Sequence, residues 1–327
     1  MKFLRRAWPY VLLILLVAAN IFAWSQRQNI ADWWRLRDYS PSSDISILAT
    51  DDDMTPYAQK LFYINHPSLE DKESFNKHCS EEGEETAVLG CYRGDRQGIY
   101  IYAVTDERLK GVRQVTAAHE MLHQAYDRLS DGERRRIDGL LQDFYDNHLK
   151  NDEIRQKVDS YRTRQDAVLT NEMHSIFGSE VRELTVELET YYRQYFSDRQ
   201  KVVSFSEAYR SEFTRRQELV RSYDIQLSGL KSKINANKSS LESSLAFLKT
   251  KEKEINQDIA ARDQDAYEAD VREYNATVSS YNALLTKTRS LIDQHNDIVG
   301  KRNDIAVQER ELQQALDSRL DSPSVKQ

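Results

Sequence analysis

Val115-Thr116-Ala117-Ala118-His119-Glu120-Met121-Leu122-His123-Gln124-Ala125 reads as a single amphipathic helix, with no Gly or Pro between residues 112 and 131. Residues four apart on a helix lie one above the other, so His119 and His123 project from one face. Two imidazoles on adjacent turns can share one tetrahedral zinc ion. Glu120 sits about 100° round the helix from His119. Its carboxylate is therefore beside such an ion rather than on it, where it can take a proton from a metal-bound water. Uncharged neighbours (Thr116, Ala117, Met121, Leu122, Ala125) let the helix be buried behind the metal. A surface helix with two chance histidines is the bland alternative.

The pattern His119-Glu120-x-x-His123 resembles the active-site helix of the zincin metallopeptidases. Two histidines leave a zinc site short of a third protein ligand. Further on, Asn171-Glu172-Met173-His174-Ser175 resembles the N-E-x-x-S segment with which gluzincins supply that ligand from a separate downstream helix. The resemblance implies Glu172 as the third ligand. His174 is the rival, and two residues apart on a helix only one of them can serve. An ordinary surface glutamate is the plain reading of Glu172. The family's aspartate one turn after the glutamate is Ile176 here, which leaves Glu180 as a candidate to steady a zinc histidine.

Composition frames these motifs. The chain has 327 residues, 30% of them charged, with only 10 Gly and 5 Pro, which points to a mainly helical protein with long solvated helices. A net charge of −7 and no sustained basic stripe make nucleic acid an unexpected partner. Residues 7–26 carry no charge, follow Lys2, Arg5 and Arg6, and have Trp8, Tyr10 and Trp24 near their ends. This predicts a transmembrane signal anchor with the bulk of the chain extracytoplasmic, a single-pass membrane protein; a cleaved signal peptide is the alternative. Cys79 and Cys91 are the two cysteines, and either pair across an acidic loop or stay reduced.

Taken in order, the chain predicts a linker over 27–43, then a zincin-like domain over 44–200. Within that domain a short strand is expected over 44–49, and helices over 57–63 and 69–78. The aspartates 51–53 read as an acidic turn that starts a helix, with a cation site as the lesser reading. Residues 86–92 and 98–104 read as a hairpin. The fold that the resemblance implies is α+β: mainly α, with a small sheet whose edge strand can pair with an extended peptide. Ser130 and Glu133 mark the start of the next helix as a capping box. From 201 to 320, Leu, Ile, Val and Tyr recur at three-, four- and seven-residue steps, interrupted at 262–266 and with Asn237, Ser244, Thr288 and His295 at core-like positions. That pattern predicts an antiparallel coiled-coil hairpin with its tip there, suited to a protein partner or self-association. Residues 317–327 read as a frayed tail, disordered over 321–327.

Together these features predict a zinc metallopeptidase acting on a peptide or protein substrate. His119, His123 and Glu172 hold Zn²⁺ and Glu120 is the general base. The residue that donates to the oxyanion is not identified. The competing class is a coiled-coil structural or binding protein whose zinc site is vestigial or structural.

Overall fold

A computed structural model describes residues 2–79, 88–94, 97–162 and 166–320. They are mainly helical with one small three-stranded sheet, and divide into a unit of Met1–Arg210 with Gln314–Gln327 and a unit of Ser211–Gln313.

In the first unit, α1 (Lys2–Ser25) and α2 (Arg27–Leu36) precede α3 (Ser43–Asp51) and α4 (Pro56–Tyr63). The stretch expected to link anchor and domain thus contains a helix. Ser42 caps α3 by accepting from the Ile45 N–H, and Thr55 caps α4 with Pro56 in the first helical position. The strand expected over 44–49 is α3 instead. Ile45, Leu48 and Ala49 are buried at helical spacing while Ile47 is 52% exposed, a pattern that three apolar residues alone do not separate from a strand.

The sheet follows. β1 (Ser68–Glu70) leads to α5 (Lys72–Cys79), then β2 (Gly90–Arg93) and β3 (Gly98–Tyr102). The expected hairpin forms, with Cys91 opposite Tyr100, and β1 adds a parallel neighbour with Leu69 opposite Ile101. Strand order is β1-β3-β2, so β2 lies at an edge. Cys79 and Cys91 form a disulfide, their Cα atoms 5.9 Å apart, which joins the end of α5 to β2.

Next come α6 (Val112–Asp127), α7 (Asp131–Asn147), α8 (Asp152–Ser160), α9 (Asp166–Glu180) and α10 (Val186–Tyr192). Gly111 starts α6 at φ +104°, and a Cβ there would lie 2.9 Å from the Phe205 carbonyl, so both conformation and space demand glycine. Ser130 and Glu133 form the expected capping box of α7, and Asn151 caps α8. Helix α6 is the centre of the core: it packs on α9, β2, β3, α3 and α4. Ala118, Met121 and Leu122 are fully buried with Ile99 and Ile101 of β3, Phe62 of α4 and Ile176 and Phe177 of α9. Burial of each large apolar side chain contributes roughly 1.5–3 kcal/mol, so this packing holds the metal-helix candidate from behind.

The membrane-spanning anchor expected over residues 7–26 is corrected by the structure: among the described residues no helix is long and apolar enough to cross a membrane. Asn20 interrupts the apolar run of α1, and Gln26 and Arg27 follow it at once. The side chains of Trp8 and Tyr10 fall outside the described residues. The single-pass, extracytoplasmic placement of the chain rested on this anchor and falls with it.

The second unit consists of the distal parts of α11 (Arg199–Ala261) and α12 (Gln264–Leu316). The turn between them is at Arg262, whose φ is +56°. Arg302 pairs with Asp224 at 2.6 Å, Asn237 donates to the Thr288 hydroxyl at 3.1 Å, and Lys251 meets Asp270 at 3.0 Å. These rungs run in opposite directions along the two helices, as an antiparallel hairpin requires. Beyond α12, residues 317–320 are not the beginning of a frayed tail, because Ser318 is buried; residues 321–327 lie outside the described residues.

Candidate metal centre

Helices α6 and α9 bring His119, His123 and Glu172 together, with their nearest ligand atoms all within 4.8 Å of one another. The helical repeat puts His119 and His123 on one face of α6, with ring centroids 4.7 Å apart at 80°. Glu172 reaches across from α9: Oε2 is 3.5 Å from His119 Nε2, and Oε1 is 3.8 Å from His123 Nε2. These distances are too long for good hydrogen bonds and leave room for an ion between the three groups.

The residues fit a metal ion on their own chemistry. Glu172 Oε2 is buried and accepts no hydrogen bond, an expense that a cation would remove. Two imidazoles and a carboxylate form a borderline donor set of the kind that suits zinc among biological metals. Asn171 Oδ1 lies 3.0 Å from His123 Nδ1. With that nitrogen donating, the tautomer is set and Nε2 presents its lone pair to the site. Among the described residues no other group of three His, Cys, Asp or Glu side chains could hold a metal.

Charge in the centre is tightly coupled. Burial pushes the Glu172 carboxyl up, but His123 and His119 outweigh burial and hold it at about 2. Burial also presses the His123 imidazolium down, and Glu172 and Glu120 more than offset this, so His123 titrates above its ordinary value. Glu120 is 5% exposed; burial raises its carboxyl despite the two histidines and a backbone hydrogen bond from Tyr92. A carboxyl raised in this way holds a proton more readily than an exposed one, the character that a proton acceptor needs.

The cluster opens on a cleft of about 830 Å³. It is lined by residues 88–92, by Gln156, Lys157 and Ser160 of α8 with Tyr161 just after that helix, and by Tyr209 of α11. Gly90 lies directly on α6. A Cβ there would collide with Thr116 and come within 2.8 Å of Glu120 Oε1.

Two expectations for this region do not hold. His174 is not at the cluster: it is fully buried, its Nε2 2.8 Å from the Tyr191 hydroxyl, among Tyr126, Tyr192 and Tyr195. Burial, with His123 and His119 nearby, holds it down to about 3, a neutral core histidine. Glu180 steadies no histidine either, since its carboxylate takes Lys157 Nζ at 2.6 Å. The residue that does steady one is Asn171, and its place just before Glu172 in the N-E-x-x-S segment is the one signal for it in the sequence.

In comparison with known proteins, the chain matches no family model, no curated protein and no solved structure.

Proposed function

We propose that the protein is a zinc metallopeptidase of gluzincin type. The observation that carries this reading is the buried carboxylate of Glu120 beside the His119–His123–Glu172 group, all four of which line an open cleft. A metal site that serves only to hold a fold has no use for a base beside it. Bound by these three side chains, zinc would supply Lewis acidity, acidifying a water and polarising the scissile carbonyl.

The chain's own residues supply the rest. Glu120 accepts the proton of the attacking water and passes it to the leaving amine, a role for which its raised carboxyl suits it. Asn171 holds the His123 ring in the metal-binding orientation. Residues 88–92 line the cleft and β2 has no second strand partner among the described residues, so an extended peptide can meet its backbone beside Glu120, which already takes the Tyr92 N–H. A cleft of this size matches the range of small-ligand and peptide sites.

Glu120→Gln tests the reading. The variant should bind zinc in the same stoichiometry as the natural chain and lose peptide cleavage by at least about a hundredfold. Cleavage at the natural rate would overturn the assignment. Zinc analysis of Glu172→Ala beside His174→Ala tests the ligand set; only the first should lose the ion.

A further inference from the structure

The last described residues return to the wall of the cleft. Ser318 is 3% exposed, and its hydroxyl donates to the Val88 carbonyl at 2.6 Å. Its own carbonyl accepts from the Asn76 side chain, which also donates to Lys72 on the same helix, α5. Asp317 and Arg319 flank it and pair with each other at 2.8 Å. One residue therefore bridges α5 to the chain that enters β2.

That chain has reason to need holding. Val88, Leu89, Gly90, Cys91 and Tyr92 line the cleft. On one side the Leu89 carbonyl accepts from Tyr102 and β2 pairs with β3, whereas the other side faces no strand among the described residues and meets Glu120 through the Tyr92 N–H. Gly90 contributes no side-chain packing, which weakens a strand further. The disulfide fixes the run at Cys91, and Ser318 fixes it three residues earlier. With both points held, the carbonyls and N–H groups between them keep one register before a ligand arrives. Such preorganisation lowers the entropy lost on binding.

We propose that residues 317–319 are a strap for the cleft wall, with Ser318 as a positioning residue that holds the 88–92 edge for a peptide substrate. The consequence for catalysis rests on the peptidase reading; the mechanical role does not. The test uses the full chain with zinc bound, comparing the natural protein, Ser318→Ala and Ser318→Thr. Hydrogen exchange is followed by mass spectrometry over residues 88–93, together with kcat and KM on an unstructured peptide. Loss of the buried hydrogen bond in Ser318→Ala should speed exchange locally by about tenfold. KM should rise severalfold, with kcat within about twofold and zinc content unchanged, the pattern of lost substrate positioning. Ser318→Thr keeps the hydroxyl and should restore the natural values. Should Ser318→Ala fail to fold, Asn76→Ala releases the other end of the bridge and should give the same local pattern. Unchanged exchange at 88–93, or faster exchange spread evenly through the first unit, overturns the strap. Natural protein that cleaves no peptide, with the local exchange change intact, overturns only the peptidase reading.

Discussion

His123 Nδ1 and Asn171 Oδ1 stand 3.0 Å apart, so the residue that precedes Glu172 in the chain orients the ring that faces Glu172 across the centre. Removal of such an outer partner typically weakens a metal site by about 10- to 100-fold. Asn171→Ala should lose zinc affinity in that range in competition with a chromophoric chelator, while Asn171→Asp, which keeps an acceptor oxygen, should lose less. Equal affinity in the natural protein and Asn171→Ala would show that the ring is held by other contacts.

Gly90 offers a way to disturb Glu120 without touching a ligand. A methyl group at this position meets Thr116 and the Glu120 side chain, and both belong to α6, which is fixed by its packing. The softer element, β2, or the Glu120 carboxylate must then move. Gly90→Ala should retain zinc, lose about 1–3 kcal/mol of stability to overpacking, and cleave peptide at least tenfold more slowly. A variant that folds, binds zinc and cleaves at the natural rate would mean that Glu120 is not positioned by this contact.

Much of this arrangement is legible in the residues themselves. The spacing of His119 and His123 on an uninterrupted helix, the Ser130–Glu133 box and the break expected over 262–266 are local signals; the structure has the first two where the spacing predicts them and a shorter break, at 262–263. What the residues hide depends on partners distant in the chain. β1 is three residues long, and its polar-apolar-polar Ser-Leu-Glu is too short to stand apart from the helix expected over 69–78; only its pairing with β3 makes it a strand, and α5 begins at Lys72. Ser318 has the look of a terminal serine because its acceptor, Val88, lies 230 residues away. Residues 44–49 fail for a different reason: with apolar residues at 45, 47 and 48, periods of two and of 3.6 fit almost equally well.

Asp32 ties α2 to the helices around the core. Its carboxylate receives Arg128 at 2.6 Å, from the end of α6, and Lys60 of α4 at 3.0 Å. Burial alone would raise its pKa, but hydrogen bonds and charge from Arg128 and Lys60 prevail and hold it below the ordinary 3.8. A depressed carboxyl lends stability that is fully present above its unfolded value and vanishes as pH falls through the folded one. Asp32→Asn leaves two cations around an amide and should cost about 3–5 kcal/mol at pH 7. The difference from the natural chain should shrink below about pH 4. All four tryptophans (Trp8, Trp24, Trp33, Trp34) lie in α1 and α2, so intrinsic fluorescence during urea titration reports this attachment directly. A difference that stays constant from pH 7 to pH 3 would sink the claim.

Asp52 presents the opposite sign. It lies at the end of α3, fully buried, and neither carboxylate oxygen has a hydrogen-bond partner. Its neighbours are engaged elsewhere, Asp51 with Gln114 and Asp53 with Lys201, so no cation site forms from the three. Burial, with a smaller push from Asp51, raises the Asp52 carboxyl well above 3.8. In this case the folded chain binds the proton more tightly than the unfolded chain, so the stabilising effect is complete below about pH 4 and drains away as pH rises toward the folded value. Across that window the slope approaches 1.4 kcal/mol per pH unit. Asn at this position has nearly the same shape and never ionises. Asp52→Asn should therefore match the natural chain near pH 4 and exceed it increasingly at pH 6 and pH 8, by at least about 1 kcal/mol at the higher value. Thermal unfolding at the three pH values measures the gap. A gap of one size at all three would mean that Asp52 ionises in the folded chain as freely as in the unfolded one, with a partner for its charge.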